Sequence, residues 1–347
     1  MPKRRRRSRV PVPVWERDRG AIGRRIAGRS PRFYATAGVV GLVVVAVGIV
    51  AFAFLNNYLE DRNRPGSTAI KVEETNYTVR YFSQRLDRFI QQAGGTGSVF
   101  GQQPQAALGL VADELIDEAL LLRFAADQGQ SATEDEVKAE IAKMLTLAGP
   151  DDPTFETRFP EELTRTGFTE QQYRDMAQAA VLKRKIEEKF TAEVPAVAES
   201  IHYRQIILET TDLTEGDALV RQIEGGADFA QIAAEKSSEP GAKESGGEAG
   251  WVPRGSLQTE LEDTLFALEP GKLTVYPTDQ NVYVYQVLEK QLDRPVEDAQ
   301  KTTISQNKFS SWLEEKRASV KIVNDMNLTD GDIEKIDYAL KRVQQTT

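Results

Sequence analysis

The chain of 347 residues contains no cysteine and a single histidine, His202. The absence of cysteine excludes disulfide bonds, thiolate catalysis and cysteine-ligated zinc. One histidine excludes metal sites built from several imidazoles and argues against a Ser-His-Asp triad. We expect no metal and no cofactor.

Charge is also absent from residues 33–59. Within this stretch, residues 35–55 are 21 apolar or small residues. As a helix rising about 1.5 Å per residue they span about 30 Å, the thickness of the hydrocarbon core of a bilayer. Phe33, Tyr34 and Tyr58 flank the run as aromatic residues suited to the membrane interface. The sequence predicts a transmembrane helix over residues 35–55.

Basic residues are concentrated before this run. Residues 1–34 hold twelve Lys or Arg against two acidic residues, a net charge of +10, so the −9 of the whole chain leaves −19 for the remainder. Because Lys and Arg favour the cytoplasmic side of a span, we expect residues 1–34 in the cytoplasm and the bulk outside it, in a single-pass topology. The alternative is a cleaved signal peptide with a small-x-small triplet at 51–53, which lies inside the apolar run.

After the span, the pattern changes near residue 198. Before this point, apolar residues recur every three or four positions, and capping boxes begin at Thr133 and Thr169, which predicts amphipathic helices. Beyond it, alternating strand patterns are mixed with helical ones. We therefore predict an α+β fold, with a polar linker at 56–74 and a polar tail at 326–347.

Four short motifs follow one another in residues 203–290. They are YRQIIL at 203–208, GADFAQIA at 226–233, GGEAGW at 246–251 and FALEPG at 266–271. In this order they resemble the parvulin-type peptidyl-prolyl cis-trans isomerases. Each motif alone is weak, whereas the ordered set is specific. The resemblance implies a parvulin-like domain at 198–290, a small antiparallel sheet flanked by helices.

The helical region is similar, more loosely, to the N-terminal chaperone domain of the SurA- and PrsA-type foldases. The likeness rests on LIDEALLL at 115–122 and on the capped helices that follow it. A long helix predicted at 298–318 and a strand at 320–323 resemble the C-terminal piece that packs back on that domain. The resemblance implies a chaperone domain at 75–197 that is completed by residues 291–325.

The resemblance also implies a prolyl-isomerase site. The positions that grip the proline ring in the family correspond to Leu257, Leu261 and Phe266, all apolar. The polar positions near the rotating bond are two histidines, a Cys or Asp and a Thr in the family, and they correspond here to Gln205, Tyr283, Glu239 and Thr278. Both family histidines are thus replaced, and His202, three residues before the first position, is interpreted as a solvated residue at a strand edge.

Two geometric expectations follow from this alignment. Gln205 and Tyr283 should lie side by side on adjacent strands and face the apolar residues of the proline pocket. Gly246 and Gly247 should form a tight turn with positive φ.

The predicted function is a membrane-anchored extracytoplasmic foldase, a peptidyl-prolyl isomerase and chaperone for exported polypeptides. Its expected partners are unfolded or proline-containing exported polypeptides and the lipid bilayer. The acidic exported part argues against nucleic acid. Two alternatives remain open: a non-catalytic holdase with a degenerate parvulin domain, and an envelope-assembly protein with one dedicated partner.

Overall fold

The computed structural model describes residues 31–346, with side chains except at 31–37, 39, 56–57, 60–61 and 345–346. The predicted cytoplasmic tail therefore lies almost entirely outside the described residues, as do the side chains of Phe33 and Tyr34. The described residues divide into two units, one up to Pro65 and one from Gly66.

The first unit contains one long helix, α1, Pro31–Asn63. The large apolar side chains described between residues 40 and 55 are exposed, for example Val40 at 60% and Phe54 at 78%. Within the described part of the chain, no helix combines the length and the apolar character needed to cross a membrane. The transmembrane helix at 35–55 stays a prediction.

The second unit contains two antiparallel sheets, with strand orders β2-β1-β7 and β4-β3-β6-β5. In chain order the strands are β1 (Thr68–Val72), β2 (Thr75–Thr78), β3 (Val197–Leu208), β4 (Glu248–Pro253), β5 (Leu273–Pro277), β6 (Val282–Pro295) and β7 (Ile322–Asn324). The predicted mixture of helices and small antiparallel sheets is confirmed.

Helices cover both sheets. They are α2 (Val79–Gln92), α3 (Val99–Gln102), α4 (Leu108–Phe124), α5 (Glu134–Met144), α6 (Phe155–Thr166), α7 (Glu170–Ala192), α8 (Leu213–Glu224), α9 (Phe229–Lys236), α10 (Ala242–Ser245), α11 (Thr259–Ala267), α12 (Asp298–Ala318) and α13 (Ile333–Thr346). Both predicted capping boxes, at Thr133 and Thr169, are present at the starts of α5 and α7. They fix where these helices begin because the side-chain oxygens satisfy backbone N–H groups that no helical carbonyl reaches.

The helical body, which comprises β1, β2, β7 and the helices α2–α7, α12 and α13, has one large hydrophobic core. Its most deeply buried large side chains include Phe82, Leu115 and Tyr173. Helix α6 begins inside 148–160, where three prolines predict a loop. Phe155 and Phe159, one helical turn apart, are both buried, so packing into the core stabilises the helix despite Pro160.

The predictions of a polar linker and a polar tail at the two ends of this body were wrong. The linker at 56–74 contains β1, the strand between β2 and β7, and its Ala69 and Ile70 are fully buried in the core. The tail at 326–347 contains α13, whose Ile336 and Ala339 lie in the core. Both elements are polar on one side, and their burial depends on partners that are distant in the sequence.

The four-stranded sheet separates two smaller clusters. Because side chains alternate along a strand, Ile206 and Val284 face α8 and α9 on one side. Tyr203 and Tyr285 face α11 on the other side. This second face carries the candidate site.

Candidate functional site

The three apolar residues predicted to grip a proline lie together. Leu257, Leu261 and Phe266 belong to one cluster with Tyr203 and Tyr285, on the sheet face covered by α11. Phe266 is buried, whereas the two leucines are half-buried. The cluster therefore has an apolar floor with a partly open rim.

Charged residues stabilise the border of this apolar cluster. The Arg254 guanidinium lies over the Phe266 ring, 4.2 Å from its centroid, and donates two hydrogen bonds of 2.9 and 2.7 Å to Glu199. Lys290 donates to the backbone carbonyl of Phe266. Glu262 accepts from the backbone N–H of Gly255 at 2.5 Å, which ties α11 to the preceding turn. The sequence analysis did not assign Arg254 to the site.

Gln205 and Glu239, two of the predicted polar residues, are hydrogen-bonded. The Gln205 Nε2 donates to the Glu239 Oε1 at 2.7 Å. The loop after α9 makes this possible because it binds the end of β3. The Ile207 N–H donates to the Ser237 Oγ at 3.0 Å, and the Ser238 N–H donates to the Ile207 carbonyl at 2.8 Å. Glu239 comes next in that loop.

The Gly246-Gly247 turn contacts the backbone of Gln205. Its φ values are 62° and 82°, which confirms the predicted positive φ. The Gln205 N–H donates to the Gly247 carbonyl at 2.8 Å. A Cβ on Gly247 would lie 2.3 Å from the Gln205 carbonyl oxygen, so the backbones approach closely only because this residue is glycine.

The predicted pairing of Gln205 with Tyr283 is wrong in register. Gln205 lies opposite Tyr285, and Tyr283 lies opposite Ile207. Gln205 and Tyr283 are therefore on adjacent strands and on the same face, but two residues out of register. The alignment identified the face correctly, and the strand register decides the neighbour.

Comparisons with known proteins support the two-part organisation. Residues 34–187 match the SurA-like N-terminal domain, and residues 185–291 match the PPIC-type PPIase domain. The chain joins a SurA-like domain to a parvulin-type domain. The predicted resemblance to the SurA- and PrsA-type foldases is thereby confirmed.

Individual relatives are distant. The foldase protein PrsA of Oceanobacillus iheyensis is 27% identical over 161 residues, 43% of this chain and 50% of that protein. The chaperone SurA of Pseudomonas syringae pv. tomato is 29% identical over 220 residues, 55% of this chain and 50% of that protein. The chain thus spans about half the length of the curated relatives it matches. The crystal structure of a peptidylprolyl isomerase (PrsA) from Bacillus anthracis covers 67% of this chain and 96% of its own, at 18% identity and a TM-score of 0.38.

Three tyrosines of the parvulin-type domain lie on the same sheet face as Gln205. The Tyr283 and Tyr285 rings stack, with centroids 5.7 Å apart, and Tyr203 meets Tyr285 edge-on at 5.7 Å. Burial raises the pKa of Tyr203, and the nearby Glu239 carboxylate raises it further. Burial also raises the pKa of Tyr285, with smaller contributions from its tyrosine neighbours and Glu239. Both hydroxyls therefore stay protonated at neutral pH.

Tyr203 and Tyr285 were missed in the sequence analysis. The signal was present, because residues two apart on a strand share a face. Tyr203 shares a face with Gln205, and Tyr285 shares one with Tyr283.

The last two residues singled out from the sequence lie differently than expected. Thr278 is exposed in the turn between β5 and β6, where its hydroxyl donates to the Asn281 carbonyl and accepts from the Asn281 N–H, both at 3.0 Å. These bonds hold the turn, and none joins Thr278 to the Gln205–Glu239 pair. The interpretation of His202 as a strand-edge residue is wrong, because its strand β3 lies between β4 and β6. Its Nε2 lies 2.7 Å from the Glu248 Oε2, and its ring stacks on Trp251.

Proposed function

We propose that this protein is a membrane-anchored foldase that isomerises X-Pro bonds and binds unfolded exported polypeptides. The observation that carries the proposal is the apolar cluster of Leu257, Leu261 and Phe266 on the same sheet face as the Gln205–Glu239 pair. A proline ring fits the apolar part, and the polar pair faces the peptide bond beside it.

The chemistry needs no covalent intermediate. Rotation about X-Pro has a barrier of about 20 kcal/mol because amide resonance is lost. A site that removes water and binds the twisted amide better than the planar one lowers this barrier. Gln205, Glu239 and Tyr283 would make the polar contacts. Thr278 stays in the proposed catalytic set through family resemblance alone.

An isomer-exchange measurement tests the activity. With the full chain in detergent, we expect NMR exchange between the cis and trans forms of a proline peptide to be accelerated. Leu261→Ala should lower kcat/KM about tenfold, since it removes apolar contact worth roughly 1–2 kcal/mol to the ring. Leu292→Ala is the matched control, because Leu292 is 79% exposed on β6.

A folded protein that binds the peptide without accelerating exchange would favour the non-catalytic holdase. The replacement of both family histidines by Gln205 and Tyr283 is the observation behind that second candidate. Suppression of client aggregation would then persist in Leu261→Ala.

The range of clients separates a general foldase from an envelope-assembly protein. Photo-crosslinkers placed on the helical body should capture many exported polypeptides in cells. Capture of one dominant membrane partner would contradict the foldase proposal.

Membrane anchoring is supported by the uncharged apolar run at 35–55 and by the +10 charge of residues 1–34. The absence of cysteine allows a clean labelling test. In intact bacterial cells, an impermeant maleimide should label Ser311→Cys but should label Ser8→Cys only after lysis. Equal labelling of both, or recovery of Ser311→Cys in the soluble fraction, would contradict the proposed topology.

A further inference from the structure

Two buried side-chain oxygens of the parvulin-type domain, the Ser256 Oγ and the Glu239 Oε2, have no hydrogen-bond partner among the residues that the structure describes. The Glu239 Oε1 accepts from Gln205, but the Glu239 Oε2 is buried without a partner among the described residues. Buried carboxylate oxygens are normally paired, because an unmade hydrogen bond to a charged group is costly. An unpaired one inside a peptide-binding site is a vacant acceptor.

Three cationic side chains of this domain have partners other than Glu239. Arg254 binds Glu199 and covers Phe266. Arg204 donates to Gln286 and lies over Phe229 on the opposite face. Lys290 donates to a backbone carbonyl. The surroundings of Glu239 are instead Gln205 and the neutral side chains of Tyr203 and Tyr285, whose pKa values are raised.

We propose that Glu239 selects peptides with Lys or Arg immediately before the proline, its Oε2 accepting a hydrogen bond from that cationic side chain. This inference rests on the proposed function, in which the amide of Gln205 faces the rotating bond. The residue before the proline supplies the carbonyl of that bond. Its side chain is therefore the one that extends past Gln205 to the Glu239 carboxylate. The charge of −19 on residues 35–347 favours approach of such basic segments.

The test uses short peptides that differ only in the residue before the proline, Lys, Gln or Glu, with the full chain in detergent. We expect kcat/KM for the Lys peptide to exceed that for the Gln peptide about tenfold, and the Glu peptide to be the poorest, as for a charge-assisted hydrogen bond in a desolvated site. A peptide with Lys after the proline should show no such advantage.

Glu239→Gln should bring kcat/KM for the Lys peptide to within about twofold of kcat/KM for the Gln peptide, whether or not it changes either value. Glu239→Lys should reverse the preference in favour of the Glu peptide, which a purely structural role for Glu239 would not produce. The matched control is Glu235→Gln on α9, an exposed acid in the same region, which should keep the wild-type ratio.

Peptide binding, followed by chemical-shift titration, separates the two ways to fail. Selective binding of the Lys peptide without accelerated exchange would contradict the isomerase and leave the selectivity standing. Accelerated exchange with equal rates and equal affinities for the Lys and Gln peptides would overturn the selectivity and leave the isomerase standing.

Discussion

The helical body and the parvulin-type domain each bury a carboxylate, with opposite results. In the helical body, Arg85 has a side chain that is 2% exposed and donates to both oxygens of Glu118, at 2.7 and 2.5 Å. It also donates to Glu114 at 2.7 Å and to the Tyr81 hydroxyl at 3.1 Å. In the parvulin-type domain, one oxygen of Glu239 has no donor among the residues that the structure describes.

The difference separates a polar network that joins two helices from one that we propose to bind a peptide side chain. The buried Arg85–Glu118 pair specifies how α2 and α4 pack, because both Glu118 oxygens accept from Arg85. Burial raises the pKa of Tyr81 to about 12 despite the opposing effect of Arg85, so this hydroxyl stays a neutral member of the network. The half-paired network keeps one acceptor free and places it on the face that carries the apolar pocket.

The largest expected effect comes from breaking the paired network. Glu118→Ala leaves Arg85 buried without its main partner and should lower the free energy of unfolding by about 3–5 kcal/mol. Urea unfolding followed by circular dichroism measures this. Glu114→Ala is the control, because the Glu114 side chain is 47% exposed and should cost less than about 1 kcal/mol. Equal losses in the two variants would show that the network does not stabilise the body.

Gly247→Ala should be the next most severe change, and it acts on the parvulin-type domain. The new Cβ both strains a positive φ and meets the Gln205 carbonyl, so we expect a loss of about 2–3 kcal/mol. Gly226→Ala is matched, since its φ is 100° with open space around the Cβ, and it should cost only about 1–2 kcal/mol. Equal melting temperatures of Gly247→Ala and Gly226→Ala would contradict a close approach between the Gly247 and Gln205 backbones.

A smaller change tests whether the two regions behave as one unit. Helix α12 packs Phe309 and Trp312 into the helical core. Its Asn307 donates to the Gly255 carbonyl of the pocket rim at 3.1 Å. Asn307→Ala should cost about 1 kcal/mol. Amide exchange should rise at 254–257 and stay unchanged in α4. Faster exchange in both places would show that the link stabilises the whole unit.

The smallest effect depends on pH. Glu136 has a pKa lowered to about 2 by the hydrogen bond from Lys185 and by the backbone N–H of Thr133. A lowered pKa in the folded state means that the carboxylate stabilises the fold above its unfolded pKa, and that this is lost as pH falls toward 2. Glu136→Gln should therefore lower the Tm at neutral pH and match wild type near pH 2. In a Lys185→Met background, Glu136→Gln should lower the Tm at neutral pH by less than it does in the wild-type protein. A difference that is constant with pH would contradict the assignment.

The sequence predicted best the elements whose signals are local. Helix α12 was predicted at 298–318 and is found at Asp298–Ala318, because its apolar spacing is complete within the segment. The capping boxes of α5 and α7 were found because Ser/Thr and Glu/Gln three residues apart satisfy each other's backbone. Strand β1 was missed because its five residues have no strong pattern of their own; it pairs with β2 and with β7, and β7 lies about 250 residues later.

The candidate site divides in the same way. The sequence by itself determined the order of the parvulin motifs, the apolar character of Leu257, Leu261 and Phe266, and the need for glycine in the turn at 246–247, since these depend on residue type and short spacing. Only the tertiary structure decided that Gln205 faces Tyr285, that Thr278 bonds within its own turn, and that one oxygen of Glu239 is left unpaired. Strand register and hydrogen-bond partners arise from contacts between segments far apart in the chain, and no local pattern encodes them.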